Sequence, residues 1–280
     1  VEVSRRFGLG DETANDVEAW FDVPSHDLER DARIAFVDGS VAGYGDVSDA
    51  GGEGKLLWAD VRAGRETATP LLDFVEGRAR ELGSAGARIK IWSTEADEEW
   101  RAFLESHGYE VDGYSFRMWT DLTEEMPAPD WPDGIAVRTY RRNEDERAVY
   151  DMHQEAFSEE PDFSRDPVDD WRQWSYREPF DSELWFLAMD GEEIAGIALC
   201  RPERGGDRTV GWVNILGVRK PWRGRGLGTA LLQHAFRDFQ ARGKVRVGLG
   251  VDGRNPSAVR LYERAGMTPE QTFVWYVKAL

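Results

Sequence analysis

Residues 223–229 read Arg-Gly-Arg-Gly-Leu-Gly-Thr, so that Gly224, Gly226 and Gly228 alternate with Arg223, Arg225 and Leu227. A segment so poor in side chains can take positive φ and bring its amides close to a ligand, and the arginines select an anion. Leu227, Ala230, Leu231 and Ala235 then recur three and four apart, which predicts an amphipathic helix to about Gln240. The glycines therefore stand at a helix N-terminus, where unpaired N–H groups and the dipole attract phosphate, contributing about 0.3–1 kcal/mol and up to about 2 when partly buried. Upstream, Val210–Val218 (VGWVNILGV) reads as a strand, giving the order strand, glycine turn, helix. Two common phosphate loops share that order and both fail: Thr229 and Ala230 follow the last glycine where a P-loop needs Lys then Ser or Thr, and the spacing is G-x-G-x-G where the dinucleotide pattern is G-x-G-x-x-G.

A second block, NPSAVRLYERAGM from Asn255 to Met267, supplies a different set of groups. Asn255 fits an N-cap and Pro256 the first helical position, leaving Ala258, Leu261 and Tyr262 on one face. Together, Arg223-x-x-Gly226-x-Gly228 and Asn255, Ala258, Leu261, Tyr262 and Gly266 resemble the two signatures of the GCN5-related N-acetyltransferase (GNAT) family, with Met267 where Phe is usual. The resemblance implies that Arg223, Gly224, Arg225, Gly226, Leu227, Gly228 and Thr229 cradle the pyrophosphate of acetyl-CoA. It implies further that Asn255 bonds the pantetheine arm, and that main-chain groups of Leu216, Gly217 and Val218 bond pantetheine and polarise the acetyl carbonyl, at the edge of a split in the sheet. Tyr262 would protonate the departing CoA thiolate. A phenol of pKa about 10 is matched to a thiol of about 8.5, and such donation contributes roughly 10²–10⁴-fold.

The general base is less plain. Relatives often carry a Glu on the strand where this chain has Trp212, Asn214 and Leu216. Either Asn214 holds a water that carries the proton away, or the amine arrives neutral, or a carboxylate elsewhere serves; Glu159, Glu160, Asp162 and Glu183 are candidates. The acceptor pocket is expected from His153–Glu183, where Phe157, Phe163, Trp171, Trp174 and Tyr176 stand among acids and suit an ammonium group. Trp171 and Trp174 fit equally well a role in pinning a helix to the sheet.

Around these groups the chain repeats itself. DGSVAGYG from Asp38 echoes DGEEIAGIA from Asp190, and Val61 aligns with Val218 at an offset of 157, which becomes 160 at Leu71 and Leu231. The first copy thus lacks three residues of the turn, keeps AGRETATP before a helix expected from Pro70 to Leu82, and has Leu104 opposite Tyr262 and Asp97 opposite Asn255. Thr120–Gly134, with three prolines and no periodicity, reads as a linker. The expectation is a degenerate GNAT-like domain over 1–125, a linker over 126–134 and a catalytic GNAT domain over 135–280, in a tandem arrangement. Each domain is expected to be α/β, a mixed, mainly antiparallel twisted sheet flanked by helices.

Composition narrows the partners. With 35 Lys and Arg against 53 Asp and Glu, a net charge of −18, nucleic acid and anionic membranes are unsuited, while a cationic acceptor or plain solubility agrees with the charge. One cysteine, Cys200, and four scattered histidines indicate no disulfide and no metal site. With no apolar run of about 18 residues and no signal peptide, a cytoplasmic monomer or homodimer is expected. The reading is an acetyl-CoA-dependent N-acetyltransferase acting on a small-molecule amine; the alternative is a non-catalytic acyl-CoA-binding sensor.

Overall fold

The computed structural model describes residues 13–49, 51–122 and 126–280. In chain order the elements are α1 (Ala14–Phe21), α2 (Leu28–Asp31), β1 (Ala32–Val37), β2 (Ser40–Ser48), β3 (Leu56–Ala63), α3 (Arg65–Leu82), β4 (Arg88–Thr94), α4 (Glu98–Ser106), β5 (Glu110–Asp121) and β6 (Ile135–Thr139). They continue with α5 (Arg142–Phe157), α6 (Val168–Ser175), β7 (Trp185–Asp190), β8 (Glu193–Arg201), β9 (Val210–Val218), α7 (Leu227–Ala241), β10 (Arg246–Asp252), α8 (Pro256–Arg264) and β11 (Thr268–Ala279).

Two compact units form, and they are not the contiguous halves expected. The first comprises the described residues of Val1–Ser115 with Ser164–Arg177 and Thr272–Leu280; the second comprises those of Phe116–Phe163 with Glu178–Gln271. Each thus contains sequence from beyond the 126–134 segment. In the first, Phe273–Ala279 of β11 pair antiparallel with β4, and Asp170 of α6 accepts hydrogen bonds from the Ser25 amide and hydroxyl. In the second, the Phe116–Asp121 part of β5 lies beside β10. The proline-rich segment is no free tether: Met126 and Trp131 pack on the core of the second unit, and the Trp131 ring meets His234 at 5.7 Å. Residues 123–125 of the expected linker lie outside the described residues.

The strand orders are β1-β2-β3-β4-β11 and β5-β10-β9-β8-β7-β6. β3 with β4 and β9 with β10 pair in parallel, each joined through a helix as a parallel crossover requires, while β1–β2, β2–β3, β4–β11, β6–β7, β7–β8 and β8–β9 pair antiparallel. One sequence motif written twice is visible in the register. The hairpin strands slip at the same place, Ala35/Phe36 and Ala188/Met189, just before which Ala35 faces Gly43 and Ala188 faces Gly196. Both glycines admit a helix leucine: a Cβ on Gly43 would lie 3.1 Å from Leu71, and one on Gly196 would lie 2.9 Å from Leu231.

The register also corrects the expected alignment. Gly43 pairs with Ala63 and Gly196 with Val218, so Ala63, two residues beyond Val61, is the counterpart of Val218. The offset is then 155 in the strand and 160 in the helix, and the first unit lacks five residues where three were expected. Helix α3 starts at Arg65, so most of AGRETATP is helix, with Pro70 as its sixth residue. Gly64 alone stands between β3 and α3, whereas eight residues separate Val218 from α7.

Candidate active site

Parallel pairing of β9 with β10 runs from Val210–Arg246 to Val213–Leu249 and stops, although β9 continues to Val218. Asn214 is the reason. On the other side of β9, Leu199 pairs with Ile215 and Cys200 with Val213, leaving Asn214 as a bulge that re-aims the strand. The sheet splits there. Helix α7 packs on one face through Leu231 against Gly196, and α5 on the other, where Ala156 and Phe157 come within 3.2 Å of a Cβ built on Gly217.

A cavity of about 680 Å³ fills the split. Its walls are the β9 end (Leu216, Gly217, Val218), the glycine turn with the start of α7, the start and inner face of α8, and the residues following α5. Of the residues singled out in the sequence, Leu216, Gly217, Val218, Arg223, Gly224, Gly226, Leu227, Gly228, Thr229, Asn255 and Tyr262 line it. Arg225 and Asn214 do not: Arg225 is exposed on the turn, and Asn214 acts on the site through the bulge.

The turn is shaped to leave amides open. Gly226, the N-cap of α7, sits at φ 85°, a conformation glycine alone takes without strain, and no side chain caps the helix. The amides of the first turn, Leu227 to Thr229, are therefore available to an anion. Gly228 is small for a packing reason, since a Cβ there would meet Leu261 at 3.1 Å.

Arg223 holds a post the sequence did not foresee. Its guanidinium donates to the Val218 and Ala156 carbonyls at 2.9 and 2.8 Å and pairs with Glu159 at 2.7 Å, bracing the turn against β9 and α5. Lys220 joins Glu159 at 2.6 Å, and these two cations hold the exposed Glu159 carboxyl below its ordinary value, the Lys220 bond foremost. Arg223 is thus engaged by protein partners, and the groups the turn leaves open are its amides.

Helix α8 brings two more of the candidate residues, Asn255 and Tyr262, to the cavity. Asn255 Oδ1 accepts from the Ala258 amide at 3.1 Å, the N-cap bond read in the sequence, while its Nδ2 donates to Glu160 at 3.3 Å. Tyr262 is 7% exposed, and burial, with a smaller contribution from the Glu160 charge, raises its phenol above the ordinary value, so that it keeps its proton. Of the aromatic residues proposed for an acceptor wall, Phe157 alone lines the cavity. Trp171, Trp174 and Tyr176 belong to the first unit, where Trp171 is wholly buried and edge-on to both others at 6.4 and 5.9 Å. They pin a helix.

Comparison with known proteins decides the family. The profile of the Acetyltransferase (GNAT) family matches residues 146–267, which contain the split, the glycine turn and α8. A mycothiol acetyltransferase of Thermobispora bispora is 33% identical over 201 residues, 71% of this chain and 68% of that protein. The chain belongs to the GNAT acetyltransferase family. Another mycothiol acetyltransferase, from Geodermatophilus obscurus, is 30% identical over 249 residues, covering 85% of this chain and 79% of its own. Among solved structures, a GCN5-related N-acetyltransferase from Sphaerobacter thermophilus aligns with TM-score 0.76 at 30% identity, over 96% of this chain and 86% of its own. A tandem GNAT protein from the clavulanic acid biosynthesis pathway shares the fold at TM-score 0.68 and 17% identity, over 96% and 88%. The chain is thus an acetyltransferase of two GNAT-like units. Among the described residues, no helix is long and apolar enough to cross a membrane.

Proposed function

We propose that the second unit binds one acetyl-CoA in the 680 Å³ cavity and transfers its acetyl group to a primary amine of a small, soluble acceptor in the cytoplasm. The observation that carries this reading is the meeting, in one cavity, of uncapped helix amides, a strand end freed from pairing and a buried, protonated Tyr262. Pyrophosphate lies on the Gly224–Thr229 amides. Main-chain groups of Leu216–Val218 hold pantetheine and polarise the thioester carbonyl as charge develops on it. The amine attacks that carbon, the C–S bond breaks, and Tyr262 gives its proton to the thiolate. A mycothiol-related amine is the acceptor class suggested by the names of the curated relatives, and the −18 charge suits a cationic ligand.

The test is calorimetry with acetyl-CoA, followed by mass spectrometry of products from cysteinyl-glucosamine, glucosamine and spermidine. One site per chain and an N-acetyl product from at least one amine are expected. Two sites per chain would assign a ligand to the first unit as well, and acetyl-CoA binding with no product from any amine would overturn the amine-acceptor reading.

A further inference from the structure

We propose that Glu160 is the general base of the second unit, the carboxylate that takes the proton from the attacking amine. The inference rests on the acetyl-transfer reading of the same cavity. It starts from a vacancy on β9, where Trp212, Asn214 and Leu216 provide no carboxylate. Of the four acids near the site in sequence, three are engaged elsewhere. Glu159 is tied to Lys220 and Arg223, Asp162 to Arg254 at 2.9 Å, and Glu183 lies off the cavity, 76% exposed beside Arg242. Glu160 lines the cavity with Tyr262 and is held by a neutral donor, the Asn255 amide.

That amide is the second argument. The N-cap of α8 is Asn255 and the N-cap of the matching helix α4 is Asp97, whose Oδ1 accepts from Trp100 at 3.0 Å as Asn255 does from Ala258 at 3.1 Å. Asn and Asp cap equally well, so capping does not distinguish them. What Asn255 has and Asp97 lacks is an N–H₂, and it points at Glu160. An aspartate there would cap the helix and repel the carboxylate.

The surroundings poise Glu160 for proton uptake. Burial raises its pKa, and Asp252 at the end of β10 adds to this; the Asn255 bond and the cations Arg223 and Arg254 work against the rise without cancelling it. Glu160 in turn helps keep Tyr262 protonated. The cavity therefore presents both a carboxyl shifted toward neutrality and a phenol that holds its proton, the separation of roles an acid and base pair needs. As the amine nitrogen bonds to the acetyl carbon, its proton passes to the Glu160 carboxylate. The C–S bond then breaks and the thiolate takes the Tyr262 proton. Glu160 releases its proton to solvent, Tyr262 regains one, and the balance is amine plus thioester to amide plus thiol.

The experiment compares the full chain with Glu160→Gln, Glu160→Asp and Asn255→Asp, using the fastest amine of the three named above. Acetyl-CoA affinity of Glu160→Gln should stay within about threefold of wild type while kcat falls roughly 10²–10⁴-fold. The wild-type kcat/KM should fall on the acid side through a value above the ordinary Glu range of about 4.3, and that limb should vanish in Glu160→Gln. Glu160→Asp should recover part of the rate, and Asn255→Asp should move the limb upward. A merely structural carboxylate predicts the opposite thermal signature. A carboxyl whose folded pKa is raised favours folding below its unfolded value and loses that advantage as pH rises through the folded one. Glu160→Gln should therefore melt no lower than wild type at neutral pH, with the difference shrinking on acidification. Near-wild-type turnover, an unchanged acid limb or a lowered melting temperature at neutral pH overturns the assignment to Glu160 and leaves the acetyl-transfer reading standing; wild type that acetylates none of the amines removes both.

Discussion

The two units keep the same split in the sheet and fill it differently. In each, the parallel pair stops short of the strand ends, at Ala59–Ile91 in the first and Val213–Leu249 in the second. The residue matching Gly217 is Arg62, one before Ala63 in the register. Its guanidinium stacks over Trp92 at 4.2 Å and pairs with Asp60 at 2.6 Å, leaving a void of about 20 Å³, room for a single water. Where Tyr262 stands in one unit, Leu104 is fully buried in the other, and the turn of Gly224 to Gly228 is reduced to Gly64. Everything retained in the first unit serves folding: a cap, a buried side chain, glycines under a helix. What it lacks are the turn and the phenol to which the proposed reading gives a ligand. The pair of units thus separates, position by position, what the fold requires from what the proposed chemistry requires.

Moving the plug from one unit to the other should give the largest effect. Gly217→Arg, measured by calorimetry, is expected to abolish acetyl-CoA binding, because a Cβ at this position would already meet Ala156 and Phe157 at 3.2 Å and the rest of the side chain must enter the cavity. Retained affinity would show that the ligand lies outside the split. Next in size is the paired position. Tyr262→Phe keeps the ring and should lose roughly 10²–10⁴-fold in turnover at near-constant acetyl-CoA affinity, whereas Leu104→Ala should cost about 2–5 kcal/mol of stability with kcat/KM unchanged. If Tyr262→Phe acted only through stability, the distinction between the units at this position would collapse. The alkaline limb of the wild-type rate profile should lie above the ordinary phenol value of about 10, since burial raises the Tyr262 pKa.

The smallest contrast concerns the helix starts. Gly226 needs its positive φ, so Gly226→Ala should lose about 1–2 kcal/mol of stability and weaken acetyl-CoA binding. Gly64, with φ −76° in the extended region, needs none: Gly64→Ser should gain a few tenths of a kcal/mol by capping α3 and leave activity alone. Urea denaturation resolves both, and equal costs at the two glycines would mean that the turns are not differently constrained.

What the sequence disclosed was local or repeated at a fixed spacing. The strand, turn and helix of 210–241, the Asn255 cap and the loss of Tyr262 from the first copy all depend on neighbours within a few residues. Three features depended on distant pairing and were out of reach: the residence of 164–177 and 272–280 in the first unit, the stacking of Arg62 on Trp92, and the convergence of Glu160 with α8. Proline misled at α3, because Pro70 reads as a helix start although Arg65–Thr69 precede it in the helix. The Trp171 and Trp174 pair was ambiguous for a physical reason, since buried aromatic residues look alike whether they line a ligand or a core. A signal for Glu160 did exist in the pair Asn255 and Asp97, a change of side-chain chemistry at a position where capping demands none.

The partnership of β11 with β4 sets a timetable for biosynthesis. A nascent chain has made all of β1 to β4 by residue 94, yet the neighbour of β4 is assembled from Phe273 to Ala279. At elongation rates of about 5–20 residues per second, β4 waits on the order of 10–35 s for its partner strand. During that interval its unpaired edge carries Ile89 and Ile91 beside Trp92, and the unit closest to the amino terminus cannot finish first. Completion of the two units is therefore a single late event, and cutting the gene at the proline-rich segment would leave each product with an unpaired strand edge.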